Sequence, residues 1–131
     1  MKRNQNILQN EAEILNGLAH PARLEIMDIL RDGEACVCHI QAMLDQRQAY
    51  VSQHLNVLRQ AGLVTSRKDG LRVYYQVSDP IVYEVLDRVK ILLKMDGWQI
   101  NEASAGHVKK ACNCPQCSEK QILVQPEANY A

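Results

Sequence analysis

The hydrophobic period of the chain changes at Gly62, and that change restricts the fold more than any other feature. Before it, apolar residues recur at helical spacing; after it, they alternate as in strands; from Val82 the helical spacing returns. Ile7, Leu8, Ile14, Leu15 and Leu18 predict a first helix ending at His20-Pro21, where proline restarts the chain in the first turn of a second. Leu24, Met27 and Leu30 are the expected buried stripe of that second helix, which Asp32-Gly33 stops. Ile40, Met43 and Leu44 predict a short third helix. Gln46 to Ala61 predicts a fourth, with Val51, Leu55 and Leu58 on its inner face and Gly62 as terminator.

Beyond Gly62, Leu63–Lys68 and Leu71–Val77 are rich in β-branched and aromatic residues, and Asp69-Gly70 between them is a strong hairpin signal. Ser78-Asp79-Pro80 then predicts the cap and first turn of a last helix. Its stripe of Val82, Val85, Leu86, Val89, Leu92 and Leu93 is wider than one small core needs, and Gly97 is its expected end. Phe is absent and aromatics make up 5% of the chain, so the core must be aliphatic. The expected fold class is mainly α with a β-hairpin wing, a winged helix-turn-helix of about five helices and two strands. Residues 1–97 would form that domain. Residues 98–131 would be a cysteine-containing tail, partly disordered, whose last residues from Gln125 are polar and aperiodic.

In such a fold the second helix of the pair enters the major groove. Gln48, Ser52, Gln53 and His54 are short polar groups suited to base edges or phosphates, and Tyr50 can stack or reach a phosphate. Arg47, Arg59, Arg67, Lys68 and Arg72 gather positive charge on helix and wing, although the whole chain has a formal net charge of +0 and a pI near 6.9. Any one of these side chains reads equally well as a solvated surface residue. Their confinement to the fourth helix and the hairpin favours double-stranded DNA as partner. No nucleophile–His–acid order and no phosphate-cradling glycine loop is present, which argues against an enzyme. No apolar run has the length of a membrane span or the form of a signal peptide, so a cytoplasmic protein is expected.

The five cysteines fall in two clusters, Cys36 and Cys38, then Cys112, Cys114 and Cys117. In a reducing compartment such clusters bind metal or do redox work more often than they form structural disulfides. Three readings of the first pair stand open: small core residues, a redox partner for a tail thiol, or half of a soft-metal site. Neighbours two apart diverge on a regular helix, so a shared ligand requires extended or unwound backbone there.

The run from Ile14 to Val77 resembles the ArsR/SmtB family of metal- and metalloid-responsive repressors. The matching pieces are Leu18–Ile26 (LAHPARLEI), Glu34–Cys38 (EACVC), Val51–Val64 (VSQHLNVLRQAGLV) and Asp69–Tyr75 (DGLRVYY), about half the chain in order. The resemblance implies a homodimer joined through the first and last helices, an inverted-repeat operator, and release of DNA when an effector binds. It also implies that Cys36 and Cys38 occupy a Cys-x-Cys sensor position of members that respond to arsenite, antimonite, cadmium, lead or bismuth. As(III) or Sb(III) is the favoured effector, with Cd(II), Pb(II) or Zn(II) as others. A thiol-based redox regulator of the same fold is the alternative. The chain departs from the family at His39, where Asp is frequent; the change is either neutral or adds an imidazole that tilts the preference toward zinc. Two thiolates are an incomplete site, and the tail with its Cys114-x-x-Cys117 bite is expected to complete it, in its own subunit or across the dimer; a tail that binds an ion separately is the alternative. A last-helix zinc site of the kind other members hold is not expected, because Ile81, Leu92 and Met95 stand where ligands are needed beside Asp79. His20 is expected to cap or pack, and His107 is a weak ligand candidate.

Overall fold

The structure, a computed structural model, describes residues 2–95. Helix α1 (Lys2–Leu18) leads into α2 (Pro21–Leu30), the two-residue strand β1 (Ala35–Cys36), α3 (Val37–Leu44) and α4 (Gln48–Gln60). The hairpin β2 (Val64–Asp69) and β3 (Arg72–Val77) follows, then α5 (Val82–Met95). Gly97 and the tail, with Cys112, Cys114 and Cys117, lie outside the described residues.

Local chemistry explains most boundaries. The His20 ring accepts the Ala22 N–H at 3.1 Å through Nδ1, and Pro21 fills the first turn of α2, so His20 is the cap expected of it. Helix α4 ends in a Schellman motif. Leu63 N–H reaches Leu58 C=O and Gly62 N–H reaches Arg59 C=O, each at 3.0 Å, while Gly62 adopts φ 78°. The hairpin differs from expectation by one residue. Asp69 pairs with Arg72, so the turn is Gly70-Leu71, with Gly70 alone at positive φ (62°). Positive φ at the first turn residue only is the type II′ pattern, which leaves Asp69 in the strand. Helix α5 also starts later than Pro80. Asp79 Oδ1 accepts the Ile81 N–H at 3.0 Å, and i→i−3 bonds from Val82, Tyr83 and Glu84 tighten the first turn of α5.

Among the described residues the sheet has three strands, not two: its order is β1-β3-β2, antiparallel throughout, with Ala35 opposite Tyr75 and Cys36 opposite Tyr74. The core lies between α2, α3, α4 and this sheet. Ile26, Met27, Ile40, Val51, Leu55 and Leu58 each show 0% exposure. Leu24 leaves the stripe predicted for α2 and is exposed; Ile26 and Ile29 take the inner face instead. Gly17 lets α1 cross the end of α4. A Cβ there would stand 2.8 Å from Ala61 Cβ and 3.1 Å from Leu63 Cδ1.

The broad stripe of α5 divides between two faces. Val82, Tyr83 and Leu86 are buried, while Val85, Val89, Leu92 and Leu93 are exposed. Tyr83 anchors the buried face: its hydroxyl donates to Met27 C=O at 2.7 Å, and burial pushes its pKa up to about 12. Arg31 lies 4.5 Å from the Tyr83 ring centroid and bonds both Asp87 oxygens, at 3.0 and 3.4 Å. The exposed face of α5 continues into α1 through an apolar groove of about 430 Å³, lined by Ile14, Leu15, Leu18, Leu63, Val82 and Val85. Among the described residues no helix is long and apolar enough to cross a membrane.

Candidate functional site

Helices α3 and α4 and the β2–β3 hairpin form the helix-turn-helix and its wing. The turn between the helices depends on Asp45, which ends α3 in the left-handed conformation (φ 53°), a role Asp tolerates better than most residues. Arg47 then caps α4 in extended backbone with its side chain exposed. Val51, Leu55 and Leu58 hold the inner face of α4 in the core, which turns Gln48, Ser52, Gln53 and Arg59 to solvent. On the wing, Arg67 and Lys68 are exposed and Arg72 is half-buried. Asn56 was not singled out from sequence, yet it shares this outer face and accepts from Arg59 Nη2 at 3.0 Å. Its spacing of four from Ser52 is the signal that identifies it.

His54 is corrected by the structure. It is 6% exposed and faces inward, not outward with Ser52 and Gln53. Arg23 Nη1 donates to His54 Nδ1 at 3.2 Å, which leaves the proton of the neutral ring on Nε2. The same guanidinium donates to Gly17 C=O at 2.7 Å and Asn16 C=O at 3.1 Å, satisfying carbonyls at the end of α1. The His20 ring lies 4.3 Å away and the half-buried Tyr50 ring packs edge-on at 4.6 Å. His54 therefore braces α4 against α1 and α2.

Burial, with the adjacent His20 and Arg23, lowers the His54 pKa below its ordinary value of 6.5. The unfolded chain then binds more protons than the folded chain around and below that value, so stability is full above it and falls as pH drops through it. The melting temperature should decrease as pH is lowered from neutrality to about one unit below the ordinary imidazole value. A His54→Gln protein should show a shallower decrease. Equal slopes in the two proteins would remove His54 as the cause.

Cys36 and Cys38 straddle a change of backbone. Cys36 is extended (φ −77°, ψ 157°), closes β1 and caps α3; Cys38 lies in the first turn of α3. Because the strand becomes helix between them, the two sulfurs converge to 2.8 Å instead of diverging. Cys36 is buried against Tyr74 and Ala42, while Cys38 is exposed, and neither is in a disulfide. A soft, thiophilic ion suits this donor pair. Among the described residues no group of three or more His, Cys, Asp or Glu is placed to hold a metal, so the half-buried His39 does not complete such a set there.

Comparison with known proteins agrees with this architecture. Residues 20–66 match the model of the family described as bacterial regulatory protein, arsR family. The chain is 38% identical over 88 residues to an uncharacterized HTH-type transcriptional regulator of Methanocaldococcus jannaschii, covering 66% of this chain and 91% of that protein. It is 35% identical over 79 residues to an arsenical resistance operon repressor of Staphylococcus aureus, covering 60% of this chain and 76% of the relative. Among solved structures, a homodimeric winged helix-turn-helix DNA-binding domain of Mycobacterium bovis superposes with a TM-score of 0.66 at 29% identity, over 72% of this chain and 87% of that one.

Proposed function

Because the chain belongs to the arsR family of bacterial DNA-binding regulators, we propose that it is a repressor that leaves its operator when a soft ion binds its cysteine thiolates. As(III) or Sb(III) is the favoured effector, with Cd(II), Pb(II) or Zn(II) next. The observation that carries this reading is the convergence of Cys36 and Cys38 at the start of α3, the helix that packs on α4. Cys36 and Cys38 would hold the ion, and thiolates of Cys112, Cys114 and Cys117 would supply the remaining donors. The bound ion would supply a fixed bond between the extended and helical sides of the junction.

The repressor would act in the cytoplasm as a homodimer through α1 and α5, whose exposed Ile14, Leu15 and Val85 line the apolar groove. Two α4 helices would then read an inverted repeat with half-sites about 34 Å apart. Arg47, Gln48, Tyr50, Ser52, Gln53, Asn56 and Arg59, with Arg67, Lys68 and Arg72 of the wing, would contact DNA; His54 would set the pose of α4. Movement of α3 would reach α4 through Ile40, Val51 and Leu55, which share one buried cluster.

The test is a fluorescence-anisotropy titration of operator DNA with As(III), Cd(II), Pb(II) and Zn(II), repeated on a chain ending at Gly106. A metal-dependent loss of affinity supports the reading, and no response to any ion refutes it. Loss of affinity on oxidation without metal, reversed by dithiothreitol, would favour the redox regulator instead. An unchanged response after truncation would exclude the tail thiols as ligands.

A further inference from the structure

Cys36, Tyr74 and Arg67 form one row across the three strands. Cys36 lies opposite Tyr74, and Tyr74 lies opposite Arg67. Residues directly opposite in antiparallel strands share a face, so the three side chains are neighbours in series. The contacts follow this row: Cys36 packs on Tyr74, and the Arg67 guanidinium lies 4.6 Å from the Tyr74 ring centroid. Glu34, two residues before Cys36, closes the arrangement. Its carboxylate accepts from Arg67 Nε at 2.8 Å and also from Nη2. That contact raises the pKa of Arg67 and lowers that of Glu34, so both groups stay charged.

We propose that Glu34 and Tyr74 are positioning residues that carry effector binding at Cys36 to Arg67, so that the wing releases DNA by a route separate from α4. The inference rests on the effector reading above. Arg67, a basic wing residue, is joined to the thiol segment twice over, by its bonds to Glu34 and by its place over the Tyr74 ring. A guanidinium fork bonded bidentately to a carboxylate cannot offer the same face to a phosphate. Glu34 and the DNA backbone are therefore rivals for Arg67, and an exposed ion pair of this kind is held weakly enough to exchange. Ligation of Cys36 fixes the Glu34–Cys36 segment against β3, keeps Arg67 on Glu34 and Tyr74, and withholds it from DNA. By reciprocity, DNA that captures Arg67 weakens ion binding at Cys36 by the same factor.

The experiment uses the full chain, Cd(II) as probe and an operator duplex. Metal occupancy is followed by thiolate-to-cadmium charge-transfer absorbance, and DNA affinity by anisotropy with and without Cd(II). In Glu34→Gln and Tyr74→Leu proteins the absorbance should match wild type, while the Cd(II)-induced loss of affinity should shrink by about fivefold or more, a typical allosteric factor. Tyr74→Phe keeps the ring and should retain the wild-type ratio, which a merely disruptive effect at Tyr74 would not explain. Glu34 lies at the surface edge of the site, so Glu34→Gln tests the idea even where Tyr74→Leu fails to fold. Wild-type ratios in Glu34→Gln with absorbance intact overturn the wing route and leave the effector reading standing. Absence of the charge-transfer band in the wild type overturns both.

Discussion

Replacing Cys36 with Ser should abolish effector-driven release while the protein still binds operator DNA. Allosteric couplings of this kind are typically about 1–3 kcal/mol, so a wild-type loss of affinity of about 5- to 150-fold should collapse toward unity. The reason is the donor set. With the sulfurs 2.8 Å apart, one thiolate at the junction is half of what the described part of the chain offers, and a hydroxyl is a poor ligand for a soft ion. Cys38→Ser should have the same functional effect, yet the two thiols should differ in reactivity. Cys38 is exposed and should react with a thiol reagent in the native protein, whereas Cys36, at 1% exposure, should react only after unfolding. Anisotropy titration of both variants checks the first statement and thiol counting checks the second. A Cys36→Ser protein that still leaves DNA with the wild-type response would remove the pair from the mechanism.

The second large effect is on stability. Leu55→Ala should lower the unfolding free energy by about 2–5 kcal/mol, the range for emptying a fully buried leucine site. Leu55 shows 0% exposure and sits in one cluster with Ile26, Ile40, Val51 and Leu58, so its truncation opens a cavity in the centre of the core. Small domains hold about 5–15 kcal/mol in total, so the loss is a large share of what keeps α4 in place. Denaturant unfolding should show a lower midpoint with an unchanged slope. DNA affinity should weaken at temperatures where the variant is partly unfolded. A change below about 1 kcal/mol would mean that the site collapses around the smaller side chain.

The helices and hairpin were legible in the chain because their signals are local. Val51, Leu55 and Leu58 repeat at helical spacing, Gly62 permits the positive φ that ends α4, and a glycine between two β-rich runs makes a hairpin. The same spacing also places residues whose chemistry points the other way. His54 is three residues after Val51 and four before Leu58, which places it on the buried face of α4; its polarity drew it to the DNA side instead. Leu24 erred in the other direction, since its spacing from Met27 fits either flank of the apolar arc that Ile26 and Ile29 centre. Strand β1 was not legible at all. Two residues carry no period, and they become a strand only because β3 offers an open edge.

By itself the sequence determined the order and type of the elements, the aliphatic core and the basic character of α4 and the wing. These depend on residues a few positions apart, whose spacing repeats the geometry of the backbone. Only the tertiary structure decided that Cys36 and Cys38 converge and that His54 turns inward onto Arg23. It alone linked Cys36 through Tyr74 to Arg67. Those relations join segments distant in the chain, or depend on the residue at which strand gives way to helix. No local pattern encodes them, because the pairing of β1 with β3 and the packing of α4 on α2 set them.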